Sequence, residues 1–246
     1  MISRAALLPI LVLAVSPGPA SADSVIPCNP PLNRPLRLTM TQSFFLADGK
    51  AAKVVVTRIL RFTRNGQGLA VGAHVAGVET DDPRPGVADR LRLAYGGPGD
   101  VPIVIRLDAV MAVSRIESLD AVWQDFRRRQ TALDGAMAKD GQSNARALAI
   151  GRMLDAMSEA DRVAMLSAFV KPVLGHCGTR FPADAHKAAD GAIVTEIRAD
   201  SVESGDLSEY HIDARTGLMQ SLDRLVTTSA APLRPLRERW VLEPAS

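Results

Sequence analysis

Two β-rich runs meet at Asn65-Gly66, and that junction limits the folds open to this chain more than any other stretch. Lys53-Val54-Val55-Val56-Thr57-Arg58-Ile59-Leu60-Arg61-Phe62-Thr63-Arg64 precedes it, and Gln67 to Val78 follows. Asn and Gly both tolerate the positive φ of a type I′ turn, so this dipeptide between alternating runs predicts an antiparallel hairpin. With Arg64 opposite Gln67, Phe62 faces Leu69, Leu60 faces Val71, Val56 faces Val75 and Val54 faces Gly77. A four-residue loop from Asn65 to Gly68 keeps the same parity. One side of the hairpin is therefore apolar along its length, interrupted by a single charge, Arg58, opposite Ala73.

Neighbouring segments extend this sheet. Leu36, Leu38, Met40 and Phe44 alternate with Arg37, Thr39, Thr41 and Ser43 and predict a strand before the hairpin. To bring Leu38, Met40 and Phe44 beside Leu60, Arg58 and Val54, the turn at Asp48-Gly49 needs an odd number of loop residues, such as Asp48-Gly49-Lys50. A polar loop from Thr80 to Ala88 carries Asp81-Asp82-Pro83-Arg84-Pro85-Gly86. Arg90 to Tyr95 then alternates with Leu91, Leu93 and Tyr95 inward, and Pro102–Leu107 with Val110–Ile116 reads as a hairpin through Asp108-Ala109. The first half is thus an up-and-down meander of about six strands.

At Ser118 the period changes. Ser118 suits an N-cap, and Leu119, Val122, Trp123, Phe126, Gln130, Leu133 and Met137 follow at helical spacing. A second helix is expected from Ser143 with Leu148, Ile150, Met153, Leu154 and Met157 as its apolar positions. A third starts at Ser158-Glu159-Ala160-Asp161, which resembles a capping box, and ends at Pro172 and Gly175. Gly175 to Gly191 reads as irregular. Strands resume at Ala192–Ala199, Leu207–Asp213, Leu218–Thr228 and Leu236–Leu242, the last joined through Pro232 and Pro235.

The ends bear on compartment. Arg4, the apolar run Ala5 to Val15, Pro17-Gly18-Pro19 and the small residues Ala20-Ser21-Ala22 make a secretory signal, residues 1–22, cleaved after Ala22. The apolar run falls short of the roughly 20 residues a spanning helix needs. Arg outnumbers Lys and Ala is abundant, as in chains from G+C-rich bacterial genomes, so the expected location is periplasmic or secreted. The chain holds two cysteines, Cys28 and Cys177, which an oxidising compartment would join. Two separate buried thiols are the alternative. Residues 23–35 are a Pro- and Asn-rich lead-in, and 36–246 form a single domain: strands over 36–117, a helical block over 118–174 and strands over 192–242.

Charge excludes some partners. Lys plus Arg number 29 against 27 Asp plus Glu, the signs are interleaved and aromatics are 4% of residues. Neither a nucleic-acid surface nor a polybasic membrane patch is implied. The chain lacks Gly-x-Ser-x-Gly, a Gly-rich phosphate loop, His-Glu-x-x-His, paired-Cys zinc spacing and an acidic calcium loop, so no catalytic residue, metal site or cofactor is assigned. Gly175-His176-Cys177-Gly178, with His186 or His211 as a base, is a weak candidate for a nucleophile, because adjacent loop residues point apart. His176, Cys177, Asp184 and His186 offer metal-ligand types without a known spacing. Arg58 is the sharper candidate: a guanidinium on an apolar face must be paired or wet. It is either an anion hook in a hydrophobic cavity, or the partner of a helical acid such as Asp120 or Asp155, or a rim residue that snorkels outward.

Together these segments predict an α+β fold: a large curved antiparallel sheet of about ten strands, six before and four after a block of about three helices that covers its apolar face. Element order, the greasy sheet face and the unit Ile212-Asp213-Ala214-Arg215-Thr216-Gly217-Leu218 resemble the bacterial outer-membrane lipoprotein-carrier superfamily. That resemblance implies an exported domain with a hydrophobic cavity for acyl chains. The long helical block and the cysteine pair depart from the typical carriers, so lipoprotein transport is not implied and no functional residue carries over. The expected function is non-enzymatic: binding or carrying a lipid or other apolar ligand at Arg58, Met40, Leu38, Val56, Leu60 and Val71. An envelope module that binds a protein partner and has no cavity is the alternative, and a hydrolase-type enzyme using the 175–186 loop is a third.

Overall fold

The computed structural model describes residues 25–46, 48–66, 68–139, 144–174, 176–180, 185–200, 204–228 and 236–245. The central hairpin forms with its turn moved one residue along. Strand β2 (Ala51–Asn65) pairs with β3 (Gly68–Thr80), placing Asn65 opposite Gly68, Arg64 opposite Leu69 and Leu60 opposite Ala73. This is the register of the four-residue alternative, so the apolar face is unchanged. Gly66, at φ 59°, sits in the turn in the left-handed region that favours glycine. A bulge between Thr57 and Arg58 skips Ala76 and sets Val56 against Val78. The shifted turn, not the bulge, sets Arg58 opposite Val75 instead of Ala73.

Strand β1 (Pro35–Phe45) pairs with β2 through an odd-numbered connection, 46–50, as parity requires. The register is offset by two from the expected one: Leu36 meets Leu60, Leu38 meets Arg58 and Met40 meets Val56. Past β3 one expected strand is replaced by a helix. Arg90 to Tyr95 is not a strand but part of helix α1 (Val87–Tyr95), which packs on β3. Val87, Leu91 and Tyr95 are spaced by four, so the inward residues of a short alternation also make a helical stripe. Strands β4 (Ile103–Leu107) and β5 (Val113–Ile116) complete the first half.

The helical block holds α2 (Leu119–Lys139), α3 (Asn144–Asp155), α4 (Glu159–Ser167) and a short α5 (Val170–Leu174). Ser118, at φ 50°, accepts the N–H groups of Ala121 and Val122 through its carbonyl. Pro172 does not end a helix. It sits in the first turn of α5, where no N–H is needed. Residue Ser143 lies outside the described residues. The capping box forms as its sequence predicts: Ser158 Oγ accepts from the Asp161 N–H at 3.2 Å and Asp161 Oδ2 accepts from the Ser158 N–H at 3.2 Å. Replacing Ser158 with Ala is expected to cost about 1 kcal/mol in a urea unfolding titration.

After the block come β6 (His186–Lys187), β7 (Ile193–Asp200), β8 (Ser204–Ile212), β9 (Met219–Thr228) and β10 (Leu236–Pro244). Pro232 and Pro235 lie outside the described residues, as does the expected signal, 1–22. Strand β6 adds two residues within the segment expected to be irregular, and among the described residues ten strands divide five before and five after the block. They form one open antiparallel sheet ordered β5-β4-β3-β2-β1-β10-β9-β8-β7-β6. Helix α1 rests on β3 and α2, α4 on β5, and α5 on β9. Leu38, Val56, Leu60, Phe62, Val71 and Ile105 on the sheet enclose one core with Val122, Trp123, Leu154, Val170 and Val173 from the helices.

Cys28 and Cys177 are joined in a disulfide with Cα atoms 4.9 Å apart. The lead-in is stitched on both sides of it. Ile26 exchanges backbone hydrogen bonds with Gly178 and Thr179, and the Asn29 and Asn33 N–H groups donate to the carbonyls of Thr216 and Phe62. Ile26 itself fills a second small core with Ile193 and Ile212. Among the described residues no helix is long and apolar enough to cross a membrane.

Candidate functional site

The apolar face is not covered evenly. A cavity of about 430 Å³ opens between the middle of the sheet and α1, α2 and the α4–α5 junction, with Met40, Arg58, Val75, Tyr95, Phe169 and Trp240 on its walls. Arg58 and Met40 were expected at such a site and line it. Leu38, Val56, Leu60 and Val71 do not: each is 0% exposed, sealed beneath the helical residues of the core. The hollow therefore lies beside the expected patch.

Alternation fixes which side chains reach it. Across β2, β1 and β10, Val56 pairs with Met40 and Met40 with Trp240. One step along, Gln42 pairs with Glu238, and Glu238 with Arg224 of β9. An apolar row thus abuts a polar one. Gln42 Nε2 donates to Glu238 Oε1 at 2.8 Å, the Tyr95 hydroxyl donates to Gln42 Oε1 at 2.7 Å, and Arg224 reaches Glu238 Oε2 at 3.5 Å. Burial and the Glu238 charge raise the Tyr95 phenol above its ordinary value, so it stays a neutral donor. Sequence reasoning missed this relay. Its signal was present: Gln42 and Glu238 each interrupt an alternating apolar row, and two such breaks in register mark a shared polar contact.

Every other charge on the cavity wall is matched. Arg129 Nε meets Asp125 at 3.2 Å and Asp100 at 3.4 Å, and Glu238 takes Arg224. Neither acid proposed for Arg58 serves it, since Asp155 pairs with Arg127 at 2.7 Å and Asp120 is exposed. Arg58 instead lies with its guanidinium carbon 5.0 Å from the centroid of the Phe169 ring, and among the described residues it has no carboxylate within ion-pair reach. Burial lowers its pKa to about 10, the Arg129 charge adds to the fall and Tyr95 opposes it. At neutral pH the group is still a cation, held on an aromatic face without a counter-ion.

One donor on the same wall is also unmatched. Trp240 is 8% exposed, and its indole Nε1 is buried with no hydrogen-bond partner. No family model matches this chain, and no curated protein matches it either.

The remaining candidates lie apart from this cavity. A disulfide-bonded Cys177 cannot act as a nucleophile. His176 packs edge-on against Tyr210 with ring centroids 5.0 Å apart, and His211 Nε2 lies 3.0 Å from Glu209. Asp184 lies outside the described residues. A larger groove of about 960 Å³ runs between Val110–Arg115 and α4. Its charged residues, Arg115, Glu159 and Lys171, are all exposed, and none of its side chains holds an unsatisfied buried polar atom.

Proposed function

We propose that this protein is a periplasmic binding or carrier protein for an apolar, acyl-type small molecule, which it holds in the cavity between its sheet and helices. The carrying observation is the cavity itself: about 430 Å³ left open between the sheet and the helices, within the range of small-molecule sites. Its walls mix apolar surface with a few placed polar groups, the usual composition of such sites. The Cys28–Cys177 bond and the lack of a membrane-crossing helix among the described residues agree with an extracytoplasmic location. The resemblance to the lipoprotein-carrier superfamily points to the same class of ligand.

Native mass spectrometry of protein purified from its host envelope tests the reading. A co-purifying lipid supports it. A clean apo mass, together with no uptake of an apolar fluorescent dye, rules it out and leaves the envelope-module alternative.

Arg58 supplies a second check. A half-buried cation without a counter-ion costs the free protein stability. Arg58→Met, of similar length, is therefore expected to raise the unfolding free energy by about 1–2 kcal/mol while weakening ligand binding. A purely structural arginine would give the opposite sign, a loss of stability with binding unaffected.

A further inference from the structure

Two features of the cavity wall select among apolar ligands. The charged residues lining it are Arg58, Arg129, Arg224, Asp100 and Glu238, and all but Arg58 have opposite-charge partners. One positive charge is left over. The Trp240 indole adds one hydrogen-bond donor, buried and without an acceptor. Both residues point to the same side of the sheet. Met40 separates them: it pairs directly with Trp240, while Arg58 pairs with Leu38, the next residue on that face of β1. Two strand spacings and one step along the strand put their Cα atoms roughly 12 Å apart. The Arg58 guanidinium sits on the Phe169 ring at the cavity wall, and the Trp240 indole N–H, closed off from solvent, must turn to meet a small group seated over Met40.

We propose that the cavity takes a singly charged carboxylate head of an acyl ligand, one oxygen engaged by the Arg58 guanidinium and the other by the Trp240 indole N–H. The inference rests on the carrier reading above and sharpens its ligand from any apolar molecule to a fatty-acid-type anion. A carboxylate offers two acceptor oxygens, matching a guanidinium and one further N–H. A neutral alcohol leaves the guanidinium without a counter-charge, and an alkylammonium is repelled. A doubly charged phosphate monoester brings one charge more than the wall can match.

The test is isothermal titration with four probes of one chain length, dodecanoate, dodecanol, dodecyl phosphate and dodecyltrimethylammonium, below their micelle concentrations. Wild type is expected to bind dodecanoate at least about tenfold tighter than dodecanol, dodecyl phosphate more weakly than dodecanoate, and the ammonium not measurably. Arg58→Met should bring dodecanoate down to the level of dodecanol and leave dodecanol unchanged. Arg58→Lys should keep a preference for the anion. Trp240→Phe should weaken dodecanoate about three- to tenfold with little effect on dodecanol. Equal binding of dodecanoate and dodecanol by wild type overturns the head-group assignment while leaving the carrier reading intact. So does a preference that survives Arg58→Met, and tighter binding of the phosphate overturns the single-charge limit. If none of the four binds, the cavity reading itself falls.

Discussion

Replacing Cys28 and Cys177 together by serine is expected to cost about 5 kcal/mol by the chain-entropy treatment, against a usual range of 2–5 kcal/mol. The bond spans 149 residues, well over half the chain, so its loss releases most of the unfolded chain from a closed loop. Native contacts around it should survive. The backbone bonds of Ile26 to Gly178 and Thr179 hold the same two segments together without sulfur. Urea titrations of the oxidised protein and the double variant should therefore show a lower midpoint and a steeper slope, because the uncrosslinked unfolded chain exposes more surface. A loss under about 1 kcal/mol would mean that the lead-in stitching, not the crosslink, closes the fold.

The second large effect sits where the lead-in meets the sheet. Gly217 has φ 74°, and a Cβ there would run into the carbonyl oxygen of Pro27, one residue before the disulfide. The turn that holds it is fixed on all sides. The Gly217 N–H donates to the Asp213 carbonyl at 2.8 Å, and the Asn29 N–H donates to the Thr216 carbonyl at 2.9 Å. Gly217→Ala thus combines a left-handed backbone, about 1–2 kcal/mol, with a backbone clash of about 1–3 kcal/mol. A loss of roughly 3 kcal/mol or more is expected. Gly49 is the control: φ is 85°, but a Cβ meets nothing within 4 Å, so Gly49→Ala should cost only the backbone part. Equal losses in thermal unfolding at the two positions would refute the clash.

Both positions show what a sequence exposes and what it hides. Strand parity was readable because a one-residue slip moves every side chain to the other face, so Leu36, Leu38, Met40, Val54, Val56, Leu60 and Phe62 could only point together. Register was less constrained. A shift by two residues leaves each face intact: the β1–β2 register missed by that amount, and the central hairpin took the four-residue alternative instead of pairing Arg64 with Gln67. Arg90–Tyr95 was misread because six residues hold too few periods to separate a strand from a helix. The cysteine pair was readable from its number and compartment alone.

The site was legible only in part. Arg58 stood out because a charge in an apolar row violates the pattern that names the core. What it faces depends on how three helices cross the sheet, and no local period encodes that. The cavity accordingly lies next to Leu38, Val56, Leu60 and Val71 instead of over them. In the Tyr95–Gln42–Glu238 relay, the packing of α1 on the sheet brings Tyr95 to Gln42, 53 positions away, and only the pairing of β1 with β10 joins Gln42 to Glu238, 196 positions away.

That pairing has a kinetic consequence. Strands β1 to β5 and β6 to β10 are two meanders of neighbouring hairpins, each made of local contacts, and the β1–β10 seam is the long-range step that unites them. Closing a loop that long is slow and comes after local pairing. Met40 and Gln42 stand on one side of the seam, Trp240 and Glu238 on the other, so neither meander holds a finished cavity. A ligand of the kind proposed above would thus bind, and by mass action stabilise, only a chain whose final strand has docked.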